Sequence, residues 1–153
     1  MDKKRLFNFR SPIVAISPDY DDLTESENTP QWFASELMQV RTQFHIWHLQ
    51  AQGSGSFAMH LAIGEFYSSM SGFVDSFVET IQGKTKSILK GYTTEPVMDL
   101  LSKEQVIAEL DEFKQDCENY RTSLPTSWAN IDNQIQVIID QIEQTIYKLN
   151  FLQ

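Results

Sequence analysis

Residues 84–101 read KTKSILKGYTTEPVMDLL. Gly91 and Pro96 both interrupt helix in this stretch, the first by backbone entropy and the second by its missing N–H. The spacing predicts a long connection with at most one turn, at Val97–Leu101. At about 3.3 Å per residue such a segment spans roughly 60 Å. It can therefore cross a helical domain from end to end and return the chain on the opposite side.

On either side of this connection the apolar residues repeat with helical period. Upstream, Thr29 followed by Pro30 is a helix start, because the hydroxyl can accept from free N–H groups and proline has none to lose. Phe33, Leu37, Val40, Phe44, Trp47 and Ala51 then form one stripe, ending near the GSGS of residues 53–56. Ser56 is the expected cap of a second helix carrying Phe57, Leu61, Tyr67, Met70, Val74, Phe77, Val78 and Ile81, which stops near Gly83. Downstream, Ser102 and Gln105 make a capping box ahead of Val106, Leu110, Phe113, Cys117 and Tyr120. After a turn at residues 123–126, Trp128, Ile131, Ile135, Ile138, Ile142, Ile146 and Leu149 line a fourth helix.

The order is helix, short loop, helix, long crossover, helix, short loop, helix. That pattern predicts an all-α fold, a ferritin-like four-helix bundle over residues 29–153. Residues 1–28 read as an irregular N-terminal arm. Pro12, Pro18 and the acidic DYDDLTESEN break it up, while Phe7, Phe9, Ile13, Val14 and Ile16 are candidates to dock in extended form. No internal repeat or low-complexity tract argues for another architecture.

Charge and cysteine usage narrow the function classes. With 21 acidic against 12 basic residues the chain carries −9, a field that repels nucleic acid and attracts cations. Its one basic cluster is Lys3, Lys4 and Arg5, so DNA binding is expected to be weak or absent. A lone Cys117 excludes an intramolecular disulfide, an iron–sulfur cluster and a multi-cysteine zinc site, and it lies on an apolar stripe, where a nucleophile is not expected. No apolar run has the length of a signal peptide or a membrane span. The expected compartment is cytoplasmic.

The residues with metal chemistry are His48, His60, Asp75 and Glu79, at gaps of twelve, fifteen and four. Two imidazoles and two carboxylates suit a hard-to-borderline ion such as non-haem iron, in a mononuclear or dinuclear centre. On the second helix His60 and Asp75 are roughly 22 Å apart along the axis and cannot share an ion. Asp75 and Glu79 lie one turn apart on one face. His48 ends the first helix as His60 begins the second, so a tight loop can pair them. Each pair is half a site. A two-fold dimer with the second helices antiparallel would set each histidine pair against the partner's carboxylates.

This pattern resembles that of the Dps mini-ferritins (DNA-binding proteins from starved cells), which carry H-x11-H-x14-D-x3-E. His48, His60, Asp75 and Glu79 reproduce all three gaps, Gly53 falls where the family has a loop glycine, and the likeness covers roughly residues 30–150. The resemblance implies a dodecamer with ferroxidase centres at its two-fold interfaces. There Fe(II) is oxidised by peroxide or oxygen and stored as ferric iron, limiting oxidative damage. The chain departs from the family at Leu49, where tryptophan is usual, at Thr80, where arginine is usual, and at Gly64, often a carboxylate, with Glu65 beside it.

Other readings stay open at this level. No histidine has glutamate three residues before it, which argues against the Glu-x-x-His centres of ordinary ferritins. His45 and His48, three apart, could hold an ion by themselves, though no third ligand is evident. The competing class is a non-enzymatic helical assembly or interaction protein with weak or lost ferroxidase activity.

Overall fold

A computed structural model describes residues 28–152. The expected arm up to residue 27, with Lys3, Lys4, Arg5 and the candidate docking residues Phe7, Phe9, Ile13, Val14 and Ile16, lies outside the described residues. Within them the fold is all-α. Its elements are α1 (Pro30–Gln50), α2 (Ser56–Thr85), α3 (Lys103–Ser123), a 3-10 turn (Thr126–Trp128) and α4 (Ala129–Phe151). None of these helices is long and apolar enough to cross a membrane.

Two of the expected starts hold, although Gln105 Oε1 accepts from Leu101 N (2.7 Å) rather than from Ser102 N as a closed capping box would. The Thr29 hydroxyl accepts from Trp32 N (3.1 Å) at the head of α1, and the Ser102 hydroxyl accepts from Gln105 N (3.2 Å) at the head of α3. The start of α2 differs. Ser56 is already helical and caps nothing; the cap position belongs to Gly55 at φ 73°, a left-handed conformation that glycine adopts without strain. The single turn expected at 97–101 is also absent, since residues 86–102 contain no helix.

Side-chain pairs give the directions. Arg41 Nε donates to Ser71 Oγ (2.7 Å), so α2 returns antiparallel to α1 from the loop at 51–55. Gln134 Nε2 donates to Ser76 and Thr80 while Lys148 pairs with Glu65, which sets α4 antiparallel to α2. Lys114 pairs with Glu143 and Arg121 with Asp132, so α4 also runs against α3. Hence α1 and α4 point one way, α2 and α3 the other. These ion pairs sit at the surface, where each is worth about 0–1 kcal/mol; they report direction more than stability.

The stability resides in the apolar faces that meet between the helices. Phe33, Leu37, Val40, Phe44 and Trp47 of α1, Val106, Leu110, Phe113, Cys117 and Tyr120 of α3, and Ile131, Ile135, Ile138, Ile142 and Leu149 of α4 are all buried, as the periodicity predicts. On α2 the expected set is partly wrong. Met70, Val74, Phe77 and Ile81 are buried, but Phe57 is 74% and Leu61 47% exposed, and Ala62, Ile63 and Phe66 take the inward positions instead. The inward face of α2 is thus rotated away from Phe57 and Leu61, which stand on the outside.

The connection 86–102 is tied along α1 by side chains. Thr93 N donates to Ser35 Oγ (3.1 Å), Glu95 N to Gln39 Oε1 (3.1 Å), Met98 N to Gln43 Oε1 (2.7 Å) and Leu100 N to Gln50 Oε1 (2.7 Å). Gln43 Nε2 (2.7 Å) and Trp47 Nε1 (2.9 Å) both donate back to Met98 O. Ser35, Gln39, Gln43, Trp47 and Gln50 recur at steps of four and three, so they share one face of α1. The lengths match. From Ser35 to Gln50 is roughly 22 Å of helix, and from Thr93 to Leu100 is roughly 23 Å of extended chain. The connection therefore runs parallel to α1, with helix side chains replacing the partner a strand would need.

Gln43→Leu tests this strap. Leucine keeps the volume and removes both amide contacts, leaving Met98 N–H without its acceptor. The expected loss is about 1–3 kcal/mol of unfolding free energy in urea. An unchanged midpoint would mean that the connection is held by packing alone.

Candidate metal centre

At the corner where α1 ends and α2 begins, two imidazoles lie face to face. The His48 and His60 rings are 3.7 Å apart between centroids and inclined by 23°. His48 Nδ1 lies 2.9 Å from His60 O, and His60 Nδ1 lies 2.9 Å from His48 O. A carbonyl oxygen can only accept, so each Nδ1 carries the hydrogen. In the neutral rings both Nε2 atoms are then the nitrogens with a free lone pair, the form in which histidine binds a metal.

The clasp follows from the local structure. His48 O is among the last carbonyls of α1, which lack helical donors, and His60 supplies one. In return, His48 reaches a carbonyl inside α2. It gets that close because residue 64 is glycine: a Cβ there would sit 2.9 Å from both Cε1 and Nδ1 of His48. Gly64, one of the departures from the mini-ferritin pattern, is thus the seat of the first histidine.

Two further aromatic rings complete the corner. Tyr67 stacks on His45 (4.4 Å between centroids, 16°) and is tilted against His48 (5.1 Å, 57°). His45 therefore packs on a phenol ring that separates it from the clasp. Sequence reasoning placed Tyr67 in the core; its position seven residues after His60, two helical turns along the same side, was the available signal.

Asp75 and Glu79 are exposed on α2, one turn apart, and within the described residues neither carboxylate has a hydrogen-bond or ion-pair partner. The helix separates Asp75 from His60 by roughly 22 Å, so one chain brings the histidines together and the carboxylates together, but not the two pairs. Among the described residues no three histidine, cysteine, aspartate or glutamate side chains converge within a single chain.

The other two departures have structural occupations. Thr80 donates to Ser76 O (2.6 Å) and accepts from Gln134 Nε2 (3.0 Å), fastening α2 to α4, and Leu49 is exposed. Burial pushes the Cys117 thiol well above its ordinary range, aided by Asp116 and Glu36 nearby, so it is a poor nucleophile. A cleft of about 670 Å³ opens at the same end of the molecule between Ser56, Met59, Leu101, Lys103 and Leu149. Among the described residues Lys103 is its sole titratable lining residue.

The chain belongs to a family of unknown function (DUF5856), which it matches over residues 48–149, a span that begins at His48 and takes in all four candidate ligands. No curated protein and no solved structure matches it.

Proposed function

We propose that this member of a family of unknown function is an iron-oxidising, iron-storing protein of the mini-ferritin kind, resembling Dps. The observation that carries the reading is the histidine clasp, whose reciprocal Nδ1–H bonds leave both Nε2 atoms ready as ligands, in register with the carboxylates at Asp75 and Glu79. The helix directions and the connection 86–102, returning along α1 between α2 and α3, support a ferritin-like four-helix bundle with a long crossover.

In this reading Fe(II) is the substrate. His48 and His60 of one subunit and the carboxylates of its two-fold mate hold it, with the carboxylates offsetting the added charge as iron becomes ferric. Two ferrous ions give one electron each to a peroxide, which takes up two protons and leaves as two waters. The acidic balance of the chain, −9 overall, favours cation entry. The assembly is a cytoplasmic homo-oligomer built from two-fold dimers, a dodecamer by resemblance, with little or no affinity for DNA.

Adding Fe(II) with peroxide or in air is expected to produce ferric absorbance faster than buffer, and His60→Ala and Asp75→Ala should each suppress it. A wild-type trace no faster than buffer would sink the enzymatic reading.

A further inference from the structure

Tyr67 stands beside the first histidine without being one of the candidate ligands. Its ring is half-buried, stacked on His45 (4.4 Å between centroids, 16°) and tilted against His48 (5.1 Å, 57°). Packing between two imidazoles keeps the phenol at the clasp, one ring away from any ion that His48 Nε2 receives. The other oxidisable side chains are placed differently. Trp47 is turned into the core, where its N–H donates to Met98 O. Cys117 is buried near Glu36, which lies roughly 18 Å of helix from His48 along α1. Tyr92 is exposed on the connection, next to the Thr93 N–H that donates to Ser35, toward the far end of α1. Tyr120 packs on Phe33 and Phe77, and Tyr147 on Phe151. Among the described tyrosines, Tyr67 is therefore the one in ring contact with a candidate ligand.

We propose that Tyr67 supplies the second electron when a lone ferrous ion at the clasp meets peroxide. The inference rests on the ferroxidase reading above and adds a residue to its chemistry. Reducing a peroxide to two waters takes two electrons and two protons, whereas one Fe(II) gives one electron. With no second donor, the O–O bond breaks to hydroxide and a hydroxyl radical. With Tyr67 as that donor, Fe(II) becomes Fe(III) and the phenol gives up one electron and its proton, becoming a phenoxyl radical. One further proton comes from solvent, and the products are two waters. The next Fe(II) then returns an electron to the ring, solvent returns the proton, and Tyr67 is restored. Each peroxide still consumes two ferrous ions, but the two need not be bound together. The stacked His45 ring shields one face of the phenol while the radical waits.

Tyr67→Phe keeps the ring that packs on His45 and His48 and removes only the hydroxyl, so it separates the chemistry from the packing. Protein loaded anaerobically with Fe(II), well below one ion per chain, is mixed with excess peroxide and frozen. Beside its ferric signal, wild type is expected to show the electron paramagnetic resonance of a phenoxyl radical, and to give little hydroxyl-radical adduct in a parallel spin-trap reaction. Tyr67→Phe should lose the phenoxyl signal and raise the adduct severalfold while keeping its helical circular dichroism. Tyr92→Phe, exposed and remote from the clasp, should match wild type in both readouts. Ferric iron without a phenoxyl signal in wild type, a signal that survives Tyr67→Phe, or an adduct no higher in that variant would each overturn the role of Tyr67 and leave the ferroxidase reading standing. A ferric signal that never exceeds buffer would overturn the ferroxidase reading, and the role of Tyr67 with it.

Discussion

Gly64→Ala is expected to leave the chain about as stable as before and, if the proposed iron site is right, to weaken Fe(II) binding roughly ten- to a hundredfold, the usual loss when a ligand's supporting contact is removed. Two opposed effects set the stability. Alanine favours a helix interior over glycine by about 1 kcal/mol. The new Cβ, however, would stand 2.9 Å from His48 Cε1 and Nδ1, so the ring must swing away. That movement gives up the bond from His48 Nδ1 to His60 O, worth about 0.5–1.5 kcal/mol. The terms nearly cancel in urea unfolding, whereas the ligand geometry has no compensating term. Anaerobic Fe(II) titration beside a denaturation curve in chelator separates them. Unchanged affinity would mean that His48 is not held by its seat, and a large stability loss would mean that the clasp serves the fold rather than the metal.

Phe33→Ala is expected to cost about 3–5 kcal/mol, a large share of the roughly 5–15 kcal/mol that holds a domain together. Phe33 is fully buried and joins three helices. Its ring stacks on Tyr120 of α3 (4.3 Å, 3°) and meets Phe77 of α2 edge-on (5.1 Å, 69°). Truncation removes both contacts and opens a cavity at the end of the molecule remote from the histidines. At about 2–4 °C per kcal/mol for a chain of this size, Tm should fall by roughly 6–20 °C. Phe57→Ala is the contrast: the same change at an exposed site on α2 should move stability by no more than about 0.5 kcal/mol. Equal shifts for the two would contradict the burial assigned to α2.

The two substitutions at phenylalanine also mark how far periodicity reaches. Along α1, α3 and α4 the stripes read from spacing are largely buried, but spacing passes over Ile139 on α4 and the polar Ser35, Gln39 and Gln43 on α1, which are buried as well. Along α2 apolar residues occur on both sides. Phe57 and Leu61 then look like core, though the buried face runs through Ile63 and Phe66 instead. A helix that presents apolar groups in two directions is ambiguous until its neighbours are known, and the outward pair is what an interface would use.

The connection shows the same division. Its length and its breaks at Gly91 and Pro96 were legible, and so was the order of helices around it. The polar stripe of Ser35, Gln39, Gln43 and Gln50 was legible as residues but not as a purpose, because nothing local distinguishes a glutamine facing solvent from one accepting a backbone N–H from a segment some fifty positions away.

For the candidate site, the sequence by itself determined the donor types, their gaps and the consequence that one chain keeps the two pairs of candidate ligands apart, since helix rise alone separates His60 from Asp75. Only the tertiary structure decided that the histidines clasp through reciprocal Nδ1 bonds and that Gly64 is their seat. The reason is physical. Spacing along a helix follows from covalent geometry and is written in the chain, whereas a contact across two helices depends on which atoms are missing as well as which are present, and a glycine's function is visible only once the neighbour that fills its space has been placed.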